Sequence, residues 1–191
     1  MLNNFLEYLT SKSKKFAKEN DLFDIIIYGS YMRSKENPND TDFLLIFLNK
    51  KLDDQLKIAQ KFKQDIKERI KNPDIKTINF QELADKNFLA TQGVLVEGYS
   101  LLNSKPFAEK FGFKGYQMFS YNLSNLNHNS KTKFTYSLIG RRGKGILSLV
   151  NAEHLGKGVV IVPIEKSSVF EDFLKEWKIN YKSKKTLIST A

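Results

Sequence analysis

The chain has 191 residues, 41% of them hydrophobic and 13% aromatic, which supplies a core for one domain or two small ones and excludes a disordered chain. It has no cysteine and only two histidines, His128 and His154, which excludes a disulfide framework and a thiolate metal site and argues against zinc. A net charge of +10 points to polyanionic partners, nucleic acid first.

The first residues lack a continuous apolar h-region, and no run approaches a membrane-spanning length. The expectation is a soluble, cytoplasmic protein with no membrane partner. Leu2, Phe5, Leu6, Leu9 and Phe16 recur at roughly helical spacing, which predicts an amphipathic helix over 2–19 with Lys12, Lys14, Lys15 and Lys18 on its wet side. Ile25 to Tyr28 is a β-branched run without polar alternation, the pattern of a strand buried on both faces.

Gly29 and Ser30 follow that strand directly. Gly29 permits a sharp turn and a close approach to a ligand, and Ser30 can cap a helix beginning at Tyr31-Met32-Arg33. A helix N-terminus behind a glycine turn is an anion site, because its first N–H groups lack intrahelical partners. Asn37-Pro38-Asn39-Asp40 is turn chemistry, and Asp40-Thr41-Asp42 opens a second apolar strand over 42–48. Side chains alternate along a strand, so Asp40 and Asp42 share a face. Two carboxylates so close repel unless a cation lies between them, and hard oxygen ligands of this kind suit Mg²⁺ held together with substrate phosphates.

These residues carry a resemblance. Gly29-Ser30, Arg33 and Asp40-Thr41-Asp42 resemble the Gly-Ser…Asp-x-Asp signature of the DNA polymerase β-like nucleotidyltransferase superfamily, over about residues 20–100. The short N-terminal part is most similar to the minimal nucleotidyltransferases of archaea and bacteria. The resemblance implies a small mixed sheet flanked by helices, and transfer of NMP from a nucleoside triphosphate, ATP among the candidates, to an acceptor hydroxyl. Gly29, Ser30 and Arg33 would take the triphosphate, although Arg33 reads equally well as a surface ion pair. Asp40 and Asp42 would hold one or two Mg²⁺. Proteins of this kind often act beside a helical partner as toxin–antitoxin pairs.

Leu52, Leu56, Ile58, Ala59, Phe62, Ile66 and Ile70 predict a helix over 52–71 facing the core, ended by Asn72-Pro73. A third strand is expected over 74–80. The family usually supplies a third carboxylate here, the base for the acceptor hydroxyl, and the chain departs from that pattern. Asp74 is the strand's only acid and stands at its start, with Lys76 on the same face. Three readings stay open: Asp74 completes the site, Lys76 fills it and the chain binds nucleotide with little or no catalysis, or Asp74 is a turn residue. Residues 81–91 read as helical with Leu83, Phe88 and Leu89 inward, and 93–102 as a helix end and a short strand.

Asn103-Ser104-Lys105-Pro106 is a break, which divides the chain into a nucleotidyltransferase-like domain at 1–104 and a small basic α/β domain at 105–191. The expected class is therefore α/β of the α+β kind. In the second part, strands are expected at 116–123, 158–164 and 178–188. A helix capped by Ser130 starts at Lys131, and Val169–Trp177 forms another, capped by Ser167 or by Ser168 in a capping box with Glu171. Gly140-Arg141-Arg142-Gly143-Lys144-Gly145 is a basic glycine-rich turn that reads as a phosphate cradle or as a plain solvated turn, without the ending of a P-loop. This basic half is the expected contact for RNA or DNA. The alternative to an enzyme is a nucleotide- or nucleic-acid-binding module, or an antitoxin-like partner of a helical toxin.

Overall fold

The computed structural model describes residues 2–29, 41–70, 72–85, 91–141 and 143–190, with the side chains of 2–5, 91 and 92 left aside. The chain is α+β and divides into two compact units, Met1–Phe111 and Gly112–Ala191.

The first unit opens with α1 (Leu2–Asn20), followed by β1 (Leu22–Tyr28), β2 (Thr41–Phe47), α2 (Leu52–Ile66) and β3 (Pro73–Asn79). A 3₁₀ turn at Phe80–Ala84, α3 (Thr91–Glu97), β4 (Tyr99–Ser100), β5 (Lys105–Pro106) and a 3₁₀ turn at Phe107–Phe111 complete it. The five strands form one mixed sheet in the order β3-β2-β1-β4-β5. β2 runs antiparallel to β1 and parallel to β3, so α2 serves as the crossover between the parallel pair.

β1 and β2 are apolar on both faces because both faces are covered. Ile25, Ile27, Phe43, Leu45 and Phe47 meet Leu9 and Phe16 of α1 and Ile58, Phe62 and Ile66 of α2. On the opposite face, Ile26, Tyr28, Leu44 and Ile46 pack with Ile78, Leu83, Val94 and Phe107. Leu9 and Phe16 are buried as their spacing predicts. Leu52 and Leu56, expected inward, are 62% and 52% exposed, because the buried stripe of α2 runs through Gln55, Ile58, Ala59, Phe62 and Ile66 instead. The helix expected near 30–35 and the inward positions Phe88 and Leu89 lie outside the described residues.

Lys105 to Phe111 stay with the first unit, seven residues beyond the break read from sequence. Two contacts explain this. β5 pairs with β4, and Phe107 is fully buried in the second core cluster. Asp24, itself fully buried, accepts hydrogen bonds from the Ile25 N–H (2.8 Å) and the Ser100 hydroxyl (2.8 Å) and is ion-paired with Lys110. One carboxylate thus ties β1, β4 and the 107–111 turn together.

The second unit contains β6 (Phe113–Tyr121), α4 (His128–Ile139), α5 (Ile146–Leu149), β7 (Glu153–Gly156), β8 (Val159–Pro163), α6 (Ser167–Glu176) and β9 (Tyr181–Ser189). Its four strands form a sheet in the order β7-β8-β6-β9, and each neighbouring pair is antiparallel. Phe119, Val160 and Val162 pack under Phe134 and Leu138 of α4 and Phe170 and Leu174 of α6. The caps differ from expectation. Asn127, not Ser130, caps α4 and accepts from the Ser130 N–H at 2.9 Å. α6 begins at Ser167, whose hydroxyl donates to the Ile164 carbonyl of the preceding 3₁₀ turn (2.7 Å), so the turn itself leads into the helix.

Candidate functional site

The strand register of the first unit brings two of the predicted positions, Asp42 and Asp74, together at one end of the sheet. Asp42 at the start of β2 lies directly opposite Tyr28 of β1 on one side and Asp74 of β3 on the other. Residues directly opposed across strands present their side chains to the same face. Tyr28, Asp42 and Asp74 therefore form one row on the face that carries Ile26 and Leu44.

Gly29 closes the row. It has φ +81°, and a Cβ added to it would stand 2.5 Å from Oδ2 of Asp42. Only glycine leaves room for that carboxylate, and only glycine takes that backbone without strain. Asp42 is half-buried beside it. Asp74 is more open, and its Oδ2 lies 3.7 Å from the Lys76 ammonium, with the two side chains 55% and 49% exposed. A pair so exposed is weakly held and screened by salt.

Tyr28 belongs to the site although its sequence context marks it only as a strand residue. It is 6% exposed, and its hydroxyl has no hydrogen-bond partner among the described residues. Burial, then the charges of Asp42 and Asp74, push its ionisation well above the ordinary phenol range. The hydroxyl therefore stays protonated beside two carboxylates. The signal available in the sequence was its place as the last strand residue before Gly29.

Ser30, Arg33 and Asp40 lie outside the described residues. Among the described residues no group of three His, Asp or Glu side chains is gathered for a metal ion, which leaves Asp42 and Asp74 as a pair of neighbouring carboxylates. The donor set suits a hard cation, since both are carboxylates.

In the second unit the glycines of the 140–145 turn serve the turn itself. Gly140 has φ +86°, and a Cβ there would meet the Gly143 carbonyl oxygen at 2.1 Å. A Cβ on Gly145 would meet the Gly140 nitrogen at 2.4 Å. The Arg141 guanidinium stacks over Tyr136, 4.9 Å from the ring centre. Closure of the backbone on itself requires glycine at 140 and 145 whatever the turn binds, and Arg142 lies outside the described residues.

No helix among the described residues is long and apolar enough to cross a membrane. No protein-family model and no curated protein matches the chain. Several solved structures are weakly similar over about half of the chain. One is the tri-AMPylated HEPN toxin of Shewanella oneidensis in complex with the MNT antitoxin, at 18% identity over 50% of this chain and 71% of that chain, with a TM-score of 0.36. A mutant of the MntA-HpeT toxin-antitoxin matches at 18% identity over 48% of this chain and 71% of that chain, TM-score 0.37. A toxin-antitoxin with AMP-PNP matches at 21% identity over 48% of this chain and 71% of that chain, TM-score 0.37.

Proposed function

We propose that the chain is a nucleotidyltransferase that moves NMP from a nucleoside triphosphate to an acceptor hydroxyl. The observation that carries this reading is the register of β2 between β1 and β3, which sets Asp42 beside Asp74 with Gly29 packed against the Asp42 carboxylate. The Gly-Ser turn and the Asp-x-Asp spacing at Asp40 and Asp42 support it from the sequence.

The chemistry is a displacement at the α-phosphorus. The acceptor oxygen forms a new bond to that phosphorus, the bond to the bridging oxygen breaks, and pyrophosphate leaves with its electron pair. Asp74, the more exposed carboxylate, takes the proton from the acceptor hydroxyl. Gly29 lets the backbone come close to the phosphates, and Ser30 and Arg33 bind them. Asp40 and Asp42 would hold Mg²⁺, which when bound neutralises developing charge on the phosphoryl oxygens. The protonated Tyr28 hydroxyl can donate to a carboxylate and hold its orientation.

The test is label transfer from α-³²P-labelled nucleoside triphosphates, ATP first, into total RNA and protein. Asp40→Asn and Asp42→Asn are each expected to abolish transfer while the fold survives. Full activity in either variant overturns the reading. A second reading, a nucleotide-binding module, rests on the ion pair between Lys76 and Asp74 at 3.7 Å, which occupies the base. Triphosphate binding without transfer under every condition would favour it. A helical protein partner is part of the proposal on the sequence resemblance alone, and co-purification of such a partner from native cells tests it.

A further inference from the structure

The charge of the chain is concentrated in its second unit. Residues 112–191 hold thirteen Lys and Arg against five Asp and Glu, a net +8 of the chain's +10. The first unit, with its carboxylate site, is close to neutral.

The sheet of the second unit has two unlike faces. The helices α4 and α6 cover the face that bears Phe119, Val160 and Val162. Among the described residues no helix of the same unit packs on the other face. Alternation along the strands gives that face Lys114, Tyr116, Met118 and Ser120 from β6, and Lys182, Lys184, Thr186 and Ile188 from β9. The register sets them in rows. Pro163, Tyr116 and Thr186 form one row, Ile161, Met118 and Lys184 the next, and Val159, Ser120 and Lys182 the third. Lys114, Lys182 and Lys184 are exposed, Tyr116 and Met118 are half-buried, and Ile161 on β8 is buried, so the open part of the face lies toward β9. The acid whose register places it here is Glu153 of β7, at the far edge opposite Ile161.

We propose that the β6–β9 side of this face, where Lys182 and Lys184 are exposed, binds single-stranded nucleic acid. Lys182 and Lys184 stand about 6.8 Å apart along an extended strand, a spacing that suits successive phosphates of an extended single strand. Tyr116 and Met118 lie on the neighbouring strand, where an unpaired base can stack on the ring and rest on the thioether. A duplex offers no free base face to Tyr116 and gains only the charge. The site is independent of the transfer reading, since it uses no residue of the first unit.

Fluorescence anisotropy of the full chain with a labelled oligouridylate of about 15 nucleotides tests this, across about 50 to 200 mM salt. Removing both lysines (Lys182→Ala with Lys184→Ala) is expected to weaken binding at least about tenfold and to make the log–log salt slope shallower by about 1.4. Tyr116→Ala is expected to weaken it about tenfold with the salt slope unchanged. The control pair Lys131→Ala with Lys133→Ala removes the same charge from exposed positions of α4, on the helical side, and is expected to cost less than about threefold. An equal loss in the control pair, equal affinity for the matching duplex, or no binding at low salt overturns the proposal. Circular dichroism checks that each substitution leaves the fold intact. Binding kept by Asp42→Asn, whatever that variant does to transfer, separates this result from the fate of the first site.

Discussion

Gly29 and Asp42 are in contact across the first sheet, with Oδ2 of Asp42 only 2.5 Å from where a side chain on Gly29 would begin. The carboxylate position and the missing side chain therefore depend on each other. Gly29→Ala is expected to lower stability by about 1–2 kcal/mol, because alanine is strained at φ +81°. It is also expected to reduce label transfer at least about tenfold by turning Asp42 aside, far more than so small a stability loss explains. Thermal denaturation read beside the transfer assay checks both.

Asp74 and Lys76 give opposite expectations. Asp74→Asn is expected to abolish transfer, since the base is lost. Lys76→Ala frees Asp74 and is expected to keep or raise transfer, with a stability change below about 1 kcal/mol for so exposed a pair. If Lys76→Ala instead destroys triphosphate affinity, the lysine is part of the phosphate site and the binding-module reading gains.

Tyr28→Phe is expected to be neutral or stabilising by about 1 kcal/mol, because the hydroxyl is buried with no partner among the described residues. A loss of transfer without a loss of stability assigns the hydroxyl to the site. A loss of stability shows that it is satisfied in the folded protein.

Lys110→Met removes the partner of a fully buried carboxylate and leaves Asp24 charged in the core. Urea denaturation is expected to show a loss of about 3–5 kcal/mol in the first unit. Adding Asp24→Asn to that variant is expected to restore part of it, since the amide keeps the Ser100 bond without the charge.

Tyr181 donates to Glu171 at 2.7 Å, and burial followed by this bond pushes its ionisation from 10.0 up to about 12. The folded value lies above the unfolded one, so the contribution is complete below pH 10 and is lost as pH rises through about 12. Alkaline denaturation of the second unit is expected to steepen across that window and to flatten in Tyr181→Phe.

The strands and the long helices were legible because their signals are local. The unbroken apolar runs of β1, β2 and β8 and the helical spacing of Leu9 and Phe16 report burial directly. β7 and α5 were not legible: each is four residues long, and the strand is exposed throughout, so neither carries a period. The inward reading of Leu52 and Leu56 failed because a helix with apolar residues on more than one side does not state which side meets the sheet.

The sequence by itself determined that Gly29 and Asp42 stand at strand ends and that the chain is basic, and it set Asp40 two residues before Asp42. Their chemistry follows from residue type and spacing along one segment. It left three roles for Asp74, since nothing local says which strand lies beside which. The parallel pairing of β3 with β2 put Asp74 opposite Asp42, and the antiparallel pairing of β1 put Tyr28 on the other side. In the same way, Lys182 and Lys184 of β9 become one face with Tyr116 only when that strand pairs with β6. Pairing is a long-range choice made by burial of whole faces, and only the tertiary structure records it.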